Sequence, residues 1–145
     1  MSERAMNVLL VEDNEGDVEL AKIAFRRGAP TSNLVVVHDG QDAVEYLYRR
    51  GAFADAARPD IVLVDLNMPR LGGKAFLDIV KNDEDLKTIP VMMLTSSQAP
   101  AEIMECYKRH ANCYILKPTG LDALIHLTQQ LESFWKGIAE LPQGG

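Results

Sequence analysis

The sequence predicts an α/β fold, one domain built on a doubly wound, five-stranded parallel sheet. Three observations carry that prediction. Five short apolar runs rich in Val, Ile and Leu recur along the chain, and most lack the polar alternation of a half-exposed strand. Segments with helical spacing of apolar residues lie between them. Five such units in a row ask for right-handed crossovers, which place helices on both faces of the sheet.

The first run, Asn7–Val11, leads into a segment where Leu20, Ala21, Ala24 and Phe25 share a helical face. The second, Leu34–His38, precedes Ala43 and Leu47, one turn apart. The Gly51–Pro59 stretch, with its Ala and Gly, reads as a surface loop after the second helix. Ile61–Val64 is the third run, and Phe76 and Val80 mark the helix behind it. Val91–Leu94 is the fourth. Pro100 suits the first turn of the next helix, on which Ile103 and Tyr107 share a face. Cys113–Leu116 is the fifth, and Thr119 followed by Asp122 predicts a capping box for the last helix. The domain is expected to span 1–145, with its core at about 6–137 and a tail at 138–145 whose end, Leu141 to Gly145, frays.

Bulk properties narrow the function classes. The 145 residues are 47% hydrophobic and 25% charged, too apolar for a disordered chain and ordinary for a globular one. No apolar run approaches the roughly 20 residues of a membrane helix. Val8 to Val11 is too short for a signal-peptide core and runs into Glu12 and Asp13. A net charge of -6 argues against nonspecific nucleic-acid binding. Cys106 and Cys113 match neither a disulfide framework nor a zinc site, which fits free thiols in a cytoplasmic protein.

Ligands of such a sheet bind at the carboxyl ends of its strands, where the winding direction switches. Glu12 and Asp13 follow the first strand, Asp65 the third with Asn67 close behind, Thr95 to Ser97 the fourth, and Lys117 the fifth. Taken singly, each has an ordinary reading: acids favouring a helix N-terminus, a turn aspartate, a helix cap, a solvated lysine. Together at one sheet edge they point to phosphoryl chemistry. Three clustered carboxylates repel unless a cation joins them, and oxygen ligands of this kind suit Mg²⁺. With that ion neutralising charge, Asp65 could act as a nucleophile toward phosphorus. Lys117 could supply further positive charge, and the Thr95 hydroxyl could hydrogen-bond a phosphoryl oxygen.

At this point the chain resembles the receiver domains of two-component response regulators. The matching segments are Leu9-Leu-Val-Glu-Asp-Asn14, Val62-Leu-Val-Asp-Leu-Asn-Met-Pro69, Leu94-Thr-Ser96 and Tyr114-Ile-Leu-Lys-Pro118. The likeness covers nearly the whole chain and implies a flavodoxin-like (βα)5 fold with strand order 2-1-3-4-5. It implies that Asp65 is the phosphoacceptor and that Mg²⁺ is held by Asp13, Asp65 and the backbone carbonyl of Asn67, with Glu12 reaching it through water. It further implies that Lys117 contacts the phosphoryl group, that Thr95 and Tyr114 form a switch pair, and that the Lys117–Pro118 peptide is cis. Such proteins signal rather than turn over substrate, and slow self-dephosphorylation is expected.

A finer likeness is to small receivers partnered with phytochrome-type sensor histidine kinases. It rests on Asn14-Glu-Gly-Asp17, Val37-His-Asp-Gly40, Tyr48-Arg-Arg-Gly-Ala-Phe53, Ala111-Asn-Cys-Tyr-Ile115 and Phe134-Trp135. The implied partner is such a kinase or a histidine phosphotransfer protein. One departure is Gly72-Gly73, where many receivers have Asp-Gly; it falls in a loop.

The chain stops soon after the fifth helix, so the expected output is a protein–protein contact, with no nucleic acid and no membrane. Leu121, Leu124, Ile125, Leu131 and Trp135 form a stripe suited to the sheet, and Leu127, Phe134 and Ile138 widen it beyond one core face. That breadth points to a homodimer through the fourth helix, fifth strand and fifth helix. Two alternatives stay open. A haloacid-dehalogenase-like phosphatase would share the Asp nucleophile, but usually needs a second acid where Asn67 stands. A flavodoxin-like flavin carrier would share the sheet, but Glu12 and Asp13 would repel its phosphate.

Overall fold

The strands Asn7–Val11 (β1), Asn33–Val37 (β2), Ile61–Val64 (β3), Val91–Thr95 (β4) and Cys113–Leu116 (β5) form one parallel sheet in the order β2-β1-β3-β4-β5. This computed structural model describes residues 5–142. Helices Glu15–Gly28 (α1), Gly40–Leu47 (α2), Gly73–Lys81 (α3), Pro100–Lys108 (α4) and Leu121–Ser133 (α5) connect and follow the strands. The predicted fold class and strand order are those observed.

The sheet separates two apolar layers. Leu9, Val11, Val62, Val64, Val91 and Met93 face α2, α3 and α4, where they meet Val44, Phe76, Leu77 and Cys106. Val8, Leu10, Ile61, Leu63, Met92 and Leu94 face α1 and α5, where they meet Ala21, Phe25 and Leu131. Successive side chains of a strand point to opposite faces, so strands covered on both sides read as unbroken apolar runs. β1, β3 and β4 are buried almost throughout, whereas β2 alternates in burial because it is an edge. Its span, Asn33–Val37, is shifted one residue toward the N-terminus from the expected Leu34–His38: the Asn33 N–H donates to the Met6 carbonyl at 2.8 Å, and His38 lies beyond the strand. β4 runs one residue further than expected, through Thr95.

Several local expectations are corrected. The Thr119 capping box does not form: α5 starts after Gly120, whose φ of +94° puts a residue without a side chain at the cap position. No peptide among the described residues is cis, so Lys117–Pro118 is trans, the form an X–Pro bond also prefers by about 0.5–1 kcal/mol. The Gly51–Pro59 loop contains a short 3-10 turn at Gly51–Phe53, and Phe53 packs edge-on against Tyr46. Leu20 and Tyr107 turn outward from their helical faces. Tyr107 instead supports the neighbouring strand, its hydroxyl accepting the Tyr114 backbone N–H at 3.1 Å.

On α5 the apolar stripe is mostly half-buried, with Leu131 fully covered and Phe134 and Ile138 exposed in a π turn at Phe134–Ile138. The most buried position on this helix is polar. Thr128 donates its hydroxyl to the carbonyls of Ala24 and Ile125. In the expected tail, Leu141 packs onto the α1–α5 layer, and 143–145 lie outside the described residues.

Candidate functional site

Sheet register assembles the site. Val11 is paired with Val64 and Val64 with Met93, while Thr95 is paired with Leu116. The residues that leave the sheet next are therefore neighbours: Glu12 and Asp13 after β1, Asp65 after β3, and Lys117 after β5, with Thr95 closing β4. Backbone bonds hold each exit in place. Glu12 N–H donates to the Val37 carbonyl, Asp65 N–H to that of Val11, and Lys117 N–H to that of Thr95.

Carboxylate oxygens of Glu12, Asp13 and Asp65 all lie within 4.8 Å of one another. Glu12 is buried, Asp65 half-buried and Asp13 exposed. Burial pushes the Glu12 carboxyl upward, and the Lys117 and Asn14 hydrogen bonds pull against that. Hard oxygen donors grouped in this way fit a divalent cation such as Mg²⁺. Asn67 follows in the exposed turn between β3 and α3.

Lys117 is the cation at the centre. Its Nζ stands 2.8 Å from Glu12 Oε1, 2.8 Å from Asp17 Oδ2 and 3.2 Å from Asp65 Oδ2. Burial works against its charge, but hydrogen bonds to Asp17 and Glu12 and the nearby carboxylates raise its pKa and hold it protonated. The other Asp65 oxygen, Oδ1, accepts the Leu66 N–H at 2.7 Å. Asp65 thus presents one oxygen to the lysine and one to the adjoining backbone.

Thr95 is buried, and its Oγ1 accepts the Ser97 N–H at 3.5 Å. Tyr114 packs against the α2–α4 layer and donates its hydroxyl to the Ser97 carbonyl at 2.8 Å. The two residues meet through the Ser97 backbone, one at each polar end. Ser97 Oγ in turn donates to Glu102 at 2.7 Å, and Glu102 pairs with Lys74 at 3.5 Å, so the loop after β4 is tied to α3 and α4.

Two features of the site are not evident from the sequence. Asp17 lies in one of the segments shared with phytochrome-partnered receivers, with no role implied, yet it touches Lys117 from a hundred residues away. Its one local signal is an acid in the first turn of the helix that opens at the strand ends. The Gly72-Gly73 pair does not fall in a loop: Gly72 is the cap residue of α3 and Gly73 its first residue, seated under the end of β3. A Cβ there would meet the Asp65 carbonyl oxygen at 2.6 Å. The site needs a glycine at that position.

The chain as a whole is similar to known proteins. Residues 8–129 match the family described as the response regulator receiver domain. The response regulator Rcp1 of Synechocystis sp. is 35% identical over 135 residues, 93% of this chain and 92% of that protein. The crystal structure of the phosphorylated cyanobacterial phytochrome response regulator RcpA superposes with a TM-score of 0.89 at 38% identity, covering 96% of this chain and 99% of that one. The Mn²⁺-bound form of Rcp1 superposes with a TM-score of 0.84 at 34% identity, covering 94% and 99%.

Proposed function

The chain belongs to the response regulator receiver domain family, and on that premise we propose that it takes a phosphoryl group from a phosphohistidine onto Asp65. The carrying observation is the contact of the Lys117 ammonium with Asp65, 3.2 Å apart, beside the Glu12 and Asp13 carboxylates. The family match leaves the phosphatase and flavin-carrier readings without support.

In the proposed reaction an Asp65 Oδ–P bond forms as the donor's P–N bond breaks. The imidazole nitrogen keeps the electron pair and takes up a proton. Phosphoryl transfer of this kind depends on positioning and charge neutralisation. Asp13, Asp65 and the Asn67 carbonyl would hold Mg²⁺, with Glu12 behind them, and the ion when bound neutralises charge on the carboxylates and phosphoryl oxygens. Lys117 supplies a positive charge from the β5 side. Thr95 offers a hydroxyl, and a shift of that hydroxyl toward the phosphoryl group would pull on the Ser97 backbone that Tyr114 also holds. Slow self-dephosphorylation would reset the protein.

The proposed donor is a sensor histidine kinase of the phytochrome type, or a phosphotransfer protein fed by one, in the cytoplasm. The relatives named for phytochrome signalling support that assignment. The proposed output is a homodimer through α4, β5 and α5. Met104, Tyr107, Leu116, Phe134 and Ile138 on those elements and the turn after α5 are all exposed apolar side chains. A monomer by sedimentation at tens of micromolar, with and without phosphorylation, would remove the dimer.

Labelling with a phosphorylated histidine kinase or acetyl phosphate in Mg²⁺ tests the central claim. Wild type becomes labelled and Asp65→Asn does not. Undiminished labelling of the variant would overturn the assignment of Asp65.

A further inference from the structure

Resting on that reading, we propose that Asp17 is a positioning residue that draws Lys117 away from the phosphoacceptor and so slows phosphoryl transfer. An ammonium has three N–H donors, and three carboxylates share the Lys117 ammonium as ion-pair partners. The two shorter contacts go to Glu12 and Asp17, and the longest goes to Asp65. The group that reacts is therefore the most distant of the three from the ammonium.

The Asp17 backbone is fixed independently of Lys117. Its backbone N–H donates to the Asn14 side chain at 2.9 Å, which caps α1, and a carboxylate in the first turn is favoured by the helix dipole. It stands apart from the three-carboxylate cluster formed by Glu12, Asp13 and Asp65, so its link to the site is the lysine. There is also room for the lysine to shift. A cavity of about 320 Å³ opens beside Asp17 and Lys117, floored by Leu10, Leu20, Leu94 and Leu124. The open space lies on the Asp17 side of the ammonium, so the lysine can lean toward α1 without displacing a packed side chain.

Phosphorylation sets up a competition. The new phosphoryl group brings about -1.5 to -2 charges next to Asp65, against a single charge on Asp17. Positive charge aimed at the transferring phosphoryl group stabilises the transition state. Whatever share of Lys117 is held by Asp17 is withheld from that state. Glu12, buried and 2.8 Å away, still anchors the ammonium at the site if Asp17 is removed.

The test uses acetyl phosphate and Mg²⁺ with the full chain. The Asp65 Oδ–P bond forms as the acetyl O–P bond breaks, and acetate leaves with the electron pair. Asp17→Asn is expected to label roughly three- to tenfold faster than wild type, the range of a coupling between touching charges. Asp17→Glu, which keeps the charge, falls between the two. In a Lys117→Gln background the gain from Asp17→Asn disappears.

An unchanged or slower rate in Asp17→Asn overturns the proposal. So does an equal gain in the Lys117→Gln background, which would mean that Asp17 merely repels the anionic donor. A lysine side-chain ¹H–¹⁵N spectrum gives a second readout that does not need turnover. The Lys117 signal must move in Asp17→Asn, and a signal that stays in place also overturns the proposal. Failure of wild type to label at all would instead bring down the phosphoacceptor reading itself.

Discussion

Gly28 and Thr128 meet so closely that a Cβ on the glycine would lie 1.9 Å from the threonine hydroxyl and 2.6 Å from the Ile125 carbonyl. This is the crossing of α1 and α5, where the Thr128 hydroxyl already donates to the Ala24 carbonyl at 3.1 Å. Gly28→Ala must push the two backbones apart or break that bond. It should destabilise the fold by about 1–3 kcal/mol, as overpacking does, despite alanine's better helix propensity. Urea unfolding checks it, and a variant as stable as wild type would show that the crossing has slack.

Lys117 offers a prediction with two opposite signs. Removing its charge leaves Glu12, Asp13 and Asp65 clustered without their cation. Lys117→Ala should therefore bind Mg²⁺ more tightly, since a positive charge no longer competes with the ion. It should also label on Asp65 about a hundredfold more slowly or worse, the usual cost of one lost electrostatic contact to a transition state. Calorimetric titration reads the first effect and acetyl phosphate labelling the second. Weaker Mg²⁺ binding would mean that Lys117 organises the carboxylates rather than opposing the metal.

Much of this molecule is legible in its sequence because its key residues lie where one period or one register rule governs. β1, β3 and β5 have the bounds their apolar runs indicate, and the acids and lysine at their ends converge because paired strands end together. What stays hidden depends on distant partners. Nothing local marks Thr128 as buried, because it is the close packing of α1, with the Ala24 carbonyl 3.1 Å from its hydroxyl, that covers it. Asp17 has the local character of a helix-start acid, and only the return of β5 to the sheet edge beside β4 brings Lys117 to it. The start of α5 departs from its capping signal because a positive φ at Gly120 overrides the polar residues nearby.

Tyr48 and Asp83 set a pH dependence remote from the site. The Tyr48 hydroxyl donates to Asp83 at 2.6 Å and, with backbone N–H groups of Leu86 and Asp85, lowers the Asp83 pKa. The folded state then binds that proton less readily than the unfolded chain. The resulting stability is present above the ordinary carboxylate range and is lost as pH falls through the lowered value. Tyr48→Phe should melt below wild type at neutral pH, with the gap narrowing as pH falls below the ordinary carboxylate range. A gap that is constant across this range would assign the loss to packing instead of the charged hydrogen bond.

Arg70 combines strain and ion pairing in the loop that carries Asn67. Its φ is +64°, a left-handed conformation that side chains disfavour. Its guanidinium reaches Asp39 at 2.8 Å and Asp42 at 2.9 Å, on the cap and first turn of α2. Arg70 is exposed and its pairing is screened by solvent, so the pairing adds little, while a left-handed residue costs about 1–2 kcal/mol. Arg70→Ala loses the pairing and keeps the strain. Arg70→Gly loses the pairing and relieves it, so the glycine variant should be more stable than the alanine variant by about 1 kcal/mol. Denaturant unfolding of the two variants decides the matter. Equal stabilities would mean that the loop relaxes out of the left-handed region once the Asp39 bridge is gone, and that the bridge alone holds this turn beside Asp65.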